Sequence, residues 1–319
     1  MIRLGVVGTS AICEKFITAA RATDRFTLAA AHSRDAARGR AFAEKHGFSH
    51  SVTDLRDMIG LVDAVYIASP NVCHAGQSRL FLEQGIHVLC EKPIAVSAQE
   101  YRQTKAVADA HRAVYIEAIT PRFVADRAIV QQALQEIGLL TEVRILYHQR
   151  SSRLDAFLAG ETPNIFNMSL HAGALMDLGV YCVYGAIDLL GVPQSITAHA
   201  DFMRGCDMGG CADLDYGSFC AHLSWRKDRD EGNDSLFVGQ NGSLHIRMIS
   251  LYDGVTLEQN GHTSSLSLPT DRITRMQGEA IAFADLIEGN RNDYQDLSDL
   301  THAVHTAMDE IKSKANITY

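Results

Sequence analysis

The sequence predicts an α/β protein. A doubly wound parallel sheet spans residues 1–120, and an α+β domain with an open, mostly antiparallel sheet spans residues 121–319. Three observations carry this. Short apolar runs alternate with amphipathic helical stretches along the first part of the chain, as parallel strands joined by crossover helices require. Past Pro121 the runs alternate apolar with polar residues and meet at Asn-Gly pairs, the pattern of half-exposed antiparallel strands. A length of 319 residues also divides naturally, at roughly 100–200 per domain, into two units that each have a core.

Leu4 to Val7 is a buried strand, and Gly8-Thr9-Ser10 turns the chain into a helix with Ile12, Phe16, Ile17 and Ala20 on one side. Such a turn aims backbone N–H groups and the positive end of a helix at an anion, which suits a pyrophosphate over Gly8, Thr9, Ser10, Ala11 and Ile12. Only the first glycine of the dinucleotide fingerprint is in place; Ser10 and Cys13 hold the other two positions. Phe26 to His32 is the second strand. At its end, about twenty residues after the turn, NAD-binding proteins carry an acid for the ribose hydroxyls; here stand Ser33 and Arg34, with Arg38 a helical turn on. A hydroxyl and guanidinium groups suit a 2′-phosphate, which favours NADP over NAD. Arg34 also reads as the opening of a helix from Asp35 to His46, and both readings stay open.

A weaker helix around Asp54 to Ile59 precedes a buried strand at Asp63 to Ala68, which Ser69-Pro70-Asn71 breaks before a helix from His74 to Glu83. Gly85 closes that helix, Ile86 to Cys90 is the next strand, and Glu91-Lys92-Pro93 ends it. Pro93 fixes its own φ and biases Lys92 to extended geometry, which leaves a lysine at the carboxyl end of a strand, where ligands of open α/β sheets sit. An isolated Glu-Lys-Pro is more often a surface charge pair; its surroundings shift the balance here. Ser97-Ala98-Gln99-Glu100 is a capping box for a helix reaching His111, and Val114 to Glu117 is a further strand.

In the second domain a helix over Ala125 to Gln135 leads to strands at Glu142–Arg150, Ser195–Phe202, Ser218–Trp225, Ser235–Val238, Ser243–Met248, Val255–Gln259 and Ser265–Leu268. Asn241-Gly242 and Asn260-Gly261 are hairpin turns by composition. Helices over Arg272–Glu288 and Leu297–Lys314 finish the chain. The alternation of Val143, Ile145 and Tyr147 predicts a bare apolar sheet face, and with it a homodimer or higher homo-oligomer.

Hydrophobic residues at 46% and charged residues at 21% are those of an ordinary soluble protein, and a net charge of -9 argues against nucleic acid or an anionic membrane as partner. Seven cysteines without a Cys-x-x-Cys pair make no disulfide framework and fit a reducing cytoplasm. Cys206 and Cys211 share a glycine-rich context but lack partner ligands, so no metal is expected. The apolar stretch from Ala172 to Val192 carries Asp177 and Asp188 and reads as a buried helix rather than a membrane span. Met1 is followed at once by a strand pattern, without a signal-peptide layout.

Five motifs stand in one order: Gly5-Val6-Val7-Gly8-Thr9; Ser69-Pro70-Asn71 with His74; Glu91-Lys92-Pro93; Glu117-Ala118 with Arg122; and Gly173-Ala174-Leu175-Met176-Asp177-Leu178-Gly179-Val180-Tyr181. Together they resemble the Gfo/Idh/MocA family over essentially the whole chain. The tyrosine closing the last motif is similar to the branch of dihydrodiol dehydrogenase, xylose dehydrogenase and glucose-fructose oxidoreductase; other branches place a histidine there. The resemblance implies a Rossmann domain binding NADP or NAD, and a second domain whose open sheet faces the nicotinamide on one side and often a partner subunit on the other. It implies Lys92 in the active site with Asp177 and Tyr181 beside it. It also implies that Gly8, Thr9, Ser10, Ser33, Arg34, Ser69, Pro70, Asn71, His74, Glu91, Lys92 and Arg122 lie along the cofactor. Ser10 and the Ala172-Gly173 pair depart from the family's glycines.

Asp177 and Tyr181 are four apart, which on an α-helix places them on one face, and both are costly to bury unpaired. His171 either orients a substrate hydroxyl or begins the helix. The expected activity is hydride transfer between a nicotinamide and a sugar, polyol or related alcohol/carbonyl pair. Tyr181 then moves the proton, Lys92 stabilises the substrate oxygen and Asp177 orients the substrate or Lys92; the assignment with Lys92 as base stays open. A non-catalytic dinucleotide sensor and an NAD-dependent glycoside hydrolase are the alternatives. The presence of both Lys92 and Tyr181 favours the enzyme. The loop from Ser151 to Met168 is expected to line the substrate pocket.

Overall fold

Six parallel strands, β1 (Ile2–Val7), β2 (Phe26–His32), β3 (His50–Val52), β4 (Ala64–Ile67), β5 (His87–Glu91) and β6 (Tyr115–Ala118), lie side by side in the order β3-β2-β1-β4-β5-β6. The computed structural model describes residues 1–268 and 270–319. Val7 pairs with His32 on one side and Ile67 on the other, and Ile67 pairs with Cys90. The carboxyl ends of the central strands are therefore level, and the strand order reverses between β1 and β4, the switch point at which such sheets bind ligands. Helices α1 (Ala11–Arg21), α2 (Ala36–His46), α3 (His74–Leu82) and α4 (Ala98–Ala110) make the crossovers.

Two segments of this sheet region differ from expectation. Strand β3 has no apolar run to betray it: His50 and Ser51 are exposed, and it is held by its ladder to β2 and by Val52, which packs against the core. The helix expected around Asp54 to Ile59 is a 3₁₀ turn, Leu55–Met58, with the Asp54 carboxylate accepting the Arg56 N–H at 2.9 Å and only Met58 buried.

The chain divides into two compact units, Met1–Ile119 with Asp271–His302, and Thr120–Thr270 with Ala303–Tyr319. Helix α8 (Arg272–Ile287) packs on α1, with Phe283 stacked on Phe26 at 6.5 Å between centroids. Arg25 reaches Asp285 at 3.0 Å and Glu288 at 2.6 Å. At the start of α9 (Tyr294–Lys314), the Tyr294 hydroxyl accepts the Tyr115 N–H at 2.9 Å.

The second unit is built on an eight-stranded sheet of β7 (Leu140–His148), β8 (Ser195–Met203), β9 (Cys206–Asp215), β10 (Cys220–Arg226), β11 (Ser235–Gly239), β12 (Gly242–Met248), β13 (Asp253–Gln259) and β14 (His262–Ser265). Their order is β14-β13-β12-β11-β7-β10-β9-β8, antiparallel except for the β7–β10 pair. Strand β9 was not expected, because its Gly209-Gly210 pair breaks any apolar alternation; those glycines leave room for the fully buried Trp225 on β10. The expected strand at Ser265–Leu268 is displaced. Asn260 and Gly261, at φ 50° and 76°, form the tight turn that pairs Gln259 with His262, so the strand lies at His262–Ser265.

Val143, Ile145 and Tyr147 are 1, 0 and 7% exposed, so the apolar alternation of β7 belongs to the covered side of the sheet. The residues that alternate with them, Glu142, Arg144 and the half-buried Leu146, form the other face, so the apolar alternation itself is not the bare face expected. Helices α5 (Asp126–Ile137), the short α6 (Leu154–Leu158) and α7 (Val180–Leu190) belong to this unit. Met168–Leu190 is long and apolar enough to cross a membrane by length and composition, and 78% of its most apolar window is buried inside the protein. Its Asp188 is paired with Arg127 of α5 at 2.7 Å and accepts the Tyr252 hydroxyl at 3.2 Å.

Candidate functional site

At the carboxyl end of β1, Gly8 has φ 120°, and a Cβ there would stand 2.9 Å from the Ala68 carbonyl oxygen, so only glycine lets the β1 and β4 ends close up. Ser10 follows with extended backbone at the N-cap of α1, where its conformation requires no glycine. Its hydroxyl lies 3.4 Å from Cys13 Sγ and caps no helix amide, so the first-turn N–H groups around Ala11 and Ile12 are presented to an anion. These features fit a dinucleotide pyrophosphate.

At the end of β2, Ser33 is buried and Arg34 exposed. The helix is opened by Asp35, whose carboxylate accepts the Ala37 and Arg38 N–H groups at 2.9 and 3.1 Å; Arg34 takes no part in the cap. Arg38 reaches back to donate to the Thr9 carbonyl at 3.3 Å, which places its guanidinium beside the β1 turn.

The loops after β4 and β5 are tied together. His74 is 1% exposed, and its two ring nitrogens lie 2.8 Å from the carbonyls of Ser69 and Pro93. Burial pushes its pKa down, and a neutral imidazole donates to one of those carbonyls at a time. Ser69 donates to Gln77 at 2.7 Å, and Pro70 precedes a 3₁₀ turn at Asn71–Cys73. Glu91 accepts the Tyr66 hydroxyl on one oxygen and the Lys92 N–H on the other at 3.3 Å. Burial pushes the Glu91 carboxyl up, while Tyr66 and Lys92 pull it back. Tyr66 stacks on Phe16 of α1 at 3.9 Å, so the Glu91-Lys92 turn is braced against the helix that follows Gly8. Beyond it, Glu117 accepts the Ile94 N–H at 2.9 Å.

The remaining candidates belong to the second unit. Arg122 ends a 3₁₀ turn at Thr120–Arg122 and is half-buried. Asp177 lies in a π-helical turn, Leu175–Gly179, that runs directly into α7, and Tyr181 is the second residue of that helix. The i→i+5 bonding of this turn widens it, so α-helical spacing does not fix the faces of Asp177 and Tyr181; single π turns are frequent at functional sites. Tyr181 is 8% exposed, with its ring edge-on to Tyr147 at 5.6 Å. His171 has left-handed backbone, φ 52°, and stacks on Tyr319 at 4.7 Å.

Lys227 was not a sequence candidate. It lies in a run of charges, Arg226 to Glu231, that reads as a solvated surface, yet it is fully buried with its Nζ 3.4 Å from Asp177. Nothing in residue type or spacing separates it from its neighbours.

Residues 2–118 match the oxidoreductase family with an NAD-binding Rossmann fold, Gfo/Idh/MocA. The chain is 34% identical over 325 residues to a scyllo-inositol 2-dehydrogenase (NADP(+)) of Bacillus subtilis (strain 168), covering 100% of this chain and 98% of the relative. It is 30% identical over 228 residues to D-xylose 1-dehydrogenase (NADP(+)) 2 of Haloferax volcanii, covering 67% of this chain and 66% of that one. A solved 3-ketoreductase from Actinomadura kijaniata, in complex with TDP-benzene and NADP, has the same fold, with a TM-score of 0.85 at 23% identity and 98% of each chain covered. The dinucleotide turn, the strand order and full-length identity to a dehydrogenase converge: this chain belongs to the Gfo/Idh/MocA family of NAD(P)-dependent oxidoreductases.

Proposed function

We propose that the protein is an NADP-dependent dehydrogenase that interconverts a hydroxyl of a sugar or polyol and the corresponding carbonyl. The observation that carries the choice of cofactor is the cluster at the end of β2. Ser33, Arg34 and Arg38 stand where an acid would bind a ribose hydroxyl, and Arg38 is anchored on the Thr9 carbonyl. Gly8, Thr9, Ser10, Ala11 and Ile12 hold the pyrophosphate in this proposal. Ser69, Pro70, Asn71, Glu91 and Arg122 hold the rest of the dinucleotide, with His74 bracing the two loops from behind. The relatives that act on scyllo-inositol and D-xylose support a polyhydroxylated substrate.

When bound, the nicotinamide supplies the hydride acceptor or donor for the carbinol carbon. Tyr181 takes the hydroxyl proton on oxidation and returns it on reduction. A phenol and an ammonium both titrate near 10 when unperturbed, so the developing alkoxide needs a cation, the role proposed for Lys92. Asp177 orients the substrate. The loop from Ser151 to Met168 is proposed to shape substrate choice.

The test is reduced-cofactor absorbance with NADP⁺ or NAD⁺ against scyllo-inositol, myo-inositol, D-xylose and D-glucose. Turnover of at least one with NADP⁺ is expected. A sensor or a glycoside hydrolase would reduce no cofactor on any of them. We further propose a cytoplasmic homodimer. Among the described residues all seven cysteines are unbridged, as a reducing compartment favours. The open face of the eight-stranded sheet, with Arg144, Leu146, Leu236 and Val238, is the proposed interface.

A further inference from the structure

Lys227 poses a problem of charge. Its side chain is 1% exposed, and an ammonium so deep persists only if its N–H groups find acceptors. It finds them on one short stretch of chain. Nζ lies 2.7 Å from the Ile165 carbonyl, 3.5 Å from the Gly173 carbonyl and 3.4 Å from Asp177 Oδ2, and it sits 4.6 Å from the centre of the Phe166 ring. The carbonyls belong to the segment that enters the π turn, and the carboxylate belongs to the turn itself. The Asp177 side chain is 27% exposed, so the buried cation meets a carboxylate that still reaches the surface.

Two neighbours reinforce this arrangement. Gly173 has φ 112°, and a Cβ there would collide with Asp207, so glycine alone lets its carbonyl turn toward Lys227 with Asp207 packed behind. Asp207 is the other acid near Lys227, but it is fully buried and accepts the Leu175 N–H at 2.8 Å. Burial pushes its carboxyl up to about 7, with the Leu175 N–H and Lys227 opposing, so it is a weaker charge partner for the lysine than an ordinary carboxylate.

We propose that Lys227 is a positioning residue for the reaction: from inside the protein it fixes the Asp177 carboxylate, and with it the π turn that leads to Tyr181, in the geometry that meets the substrate. The inference rests on the proposed place of Asp177 in the site and adds a residue that touches neither substrate nor cofactor.

The test is a double-mutant cycle on the intact protein with NADP⁺ and whichever of scyllo-inositol, myo-inositol, D-xylose and D-glucose the wild type oxidises fastest. Lys227→Gln keeps donors for the two carbonyls and removes the charge. It is expected to lower kcat by about 10–100-fold while KM and NADP⁺ affinity change by less than about threefold. In an Asp177→Asn background the same change is expected to cost less than about threefold, because the interaction is already gone. Lys227→Arg, which keeps the charge, is expected to recover most of the lost turnover. An equal cost of Lys227→Gln in both backgrounds marks a purely structural lysine and overturns the inference while leaving the proposed function intact. So does a chain that folds only with lysine at position 227. Wild-type turnover in Asp177→Asn alone, or a wild type inert on all four alcohols, defeats the underlying site reading and takes this inference with it.

Discussion

Arg34 is exposed, takes no part in the cap of α2, and follows the buried Ser33 at the end of β2. A guanidinium in that place gains most from a phosphate, so Arg34→Ala should weaken NADP binding by about 1.5–3 kcal/mol and leave NAD binding nearly unchanged. Calorimetric titration of both cofactors decides it; an equal loss for the two removes Arg34 from the 2′-phosphate site. Tyr181→Phe removes the hydroxyl and keeps the ring that packs edge-on to Tyr147. Turnover should fall by about 10²–10⁴ with cofactor affinity kept. Wild-type turnover in Tyr181→Phe would hand the proton to Lys92 or His171. These residues are legible in the sequence because chemistry and motif coincide at them. Lys227 is not, because burial depends on how Ile165 and Gly173 fold over it, about sixty residues away in the chain.

At the scale of elements, Asp207 on β9 offers a test through pH. Its carboxyl rises from the ordinary 3.8 to about 7, chiefly by burial, with the Leu175 N–H and Lys227 opposing. A carboxyl raised in the folded state contributes stability that is complete below its unfolded pKa and is lost as pH rises through the folded one, so the loss falls between about pH 4 and pH 7. Asp207→Asn cannot ionise. From pH 4 to pH 8 its stability relative to wild type should therefore improve by on the order of 2–4 kcal/mol. Urea unfolding at the two pH values measures this, and a difference independent of pH would mean that Asp207 is ionised in the folded protein. The elements that sequence reading missed share one cause. Strand β9 gives up apolar alternation to fit glycines against Trp225, and β3 is held by its neighbour without an apolar face of its own. The π turn has the same composition as an α-helix. In each, tertiary packing decided what local pattern left open.

At the scale of the whole molecule, sequence order and spatial order part company. The alternation of strands and helices made five of the six parallel strands legible, all but the edge strand β3, but no pattern in the sequence announces that residues 271–302 return to the sheet. The return is substantial. Met276, Ala280, Phe283, Ala284 and Leu286 of α8 are all at most 4% exposed, Phe283 stacks on Phe26, and Arg25 holds both Asp285 and Glu288. Truncating a buried phenylalanine typically costs about 3–5 kcal/mol, a large share of a domain's stability, so Phe283→Ala should destabilise the intact chain by that order. A chain of residues 1–120 alone would lack this entire apolar cover and the acceptor that Tyr294 offers to the Tyr115 N–H. It should unfold without cooperativity in urea and bind NADP weakly, although the whole proposed cofactor site except Arg122 lies within its sequence. Fusing residues 271–302 behind it should restore both a cooperative transition and most of the affinity. Cooperative unfolding with full NADP affinity from residues 1–120 alone would show that α8 only decorates a core complete without it.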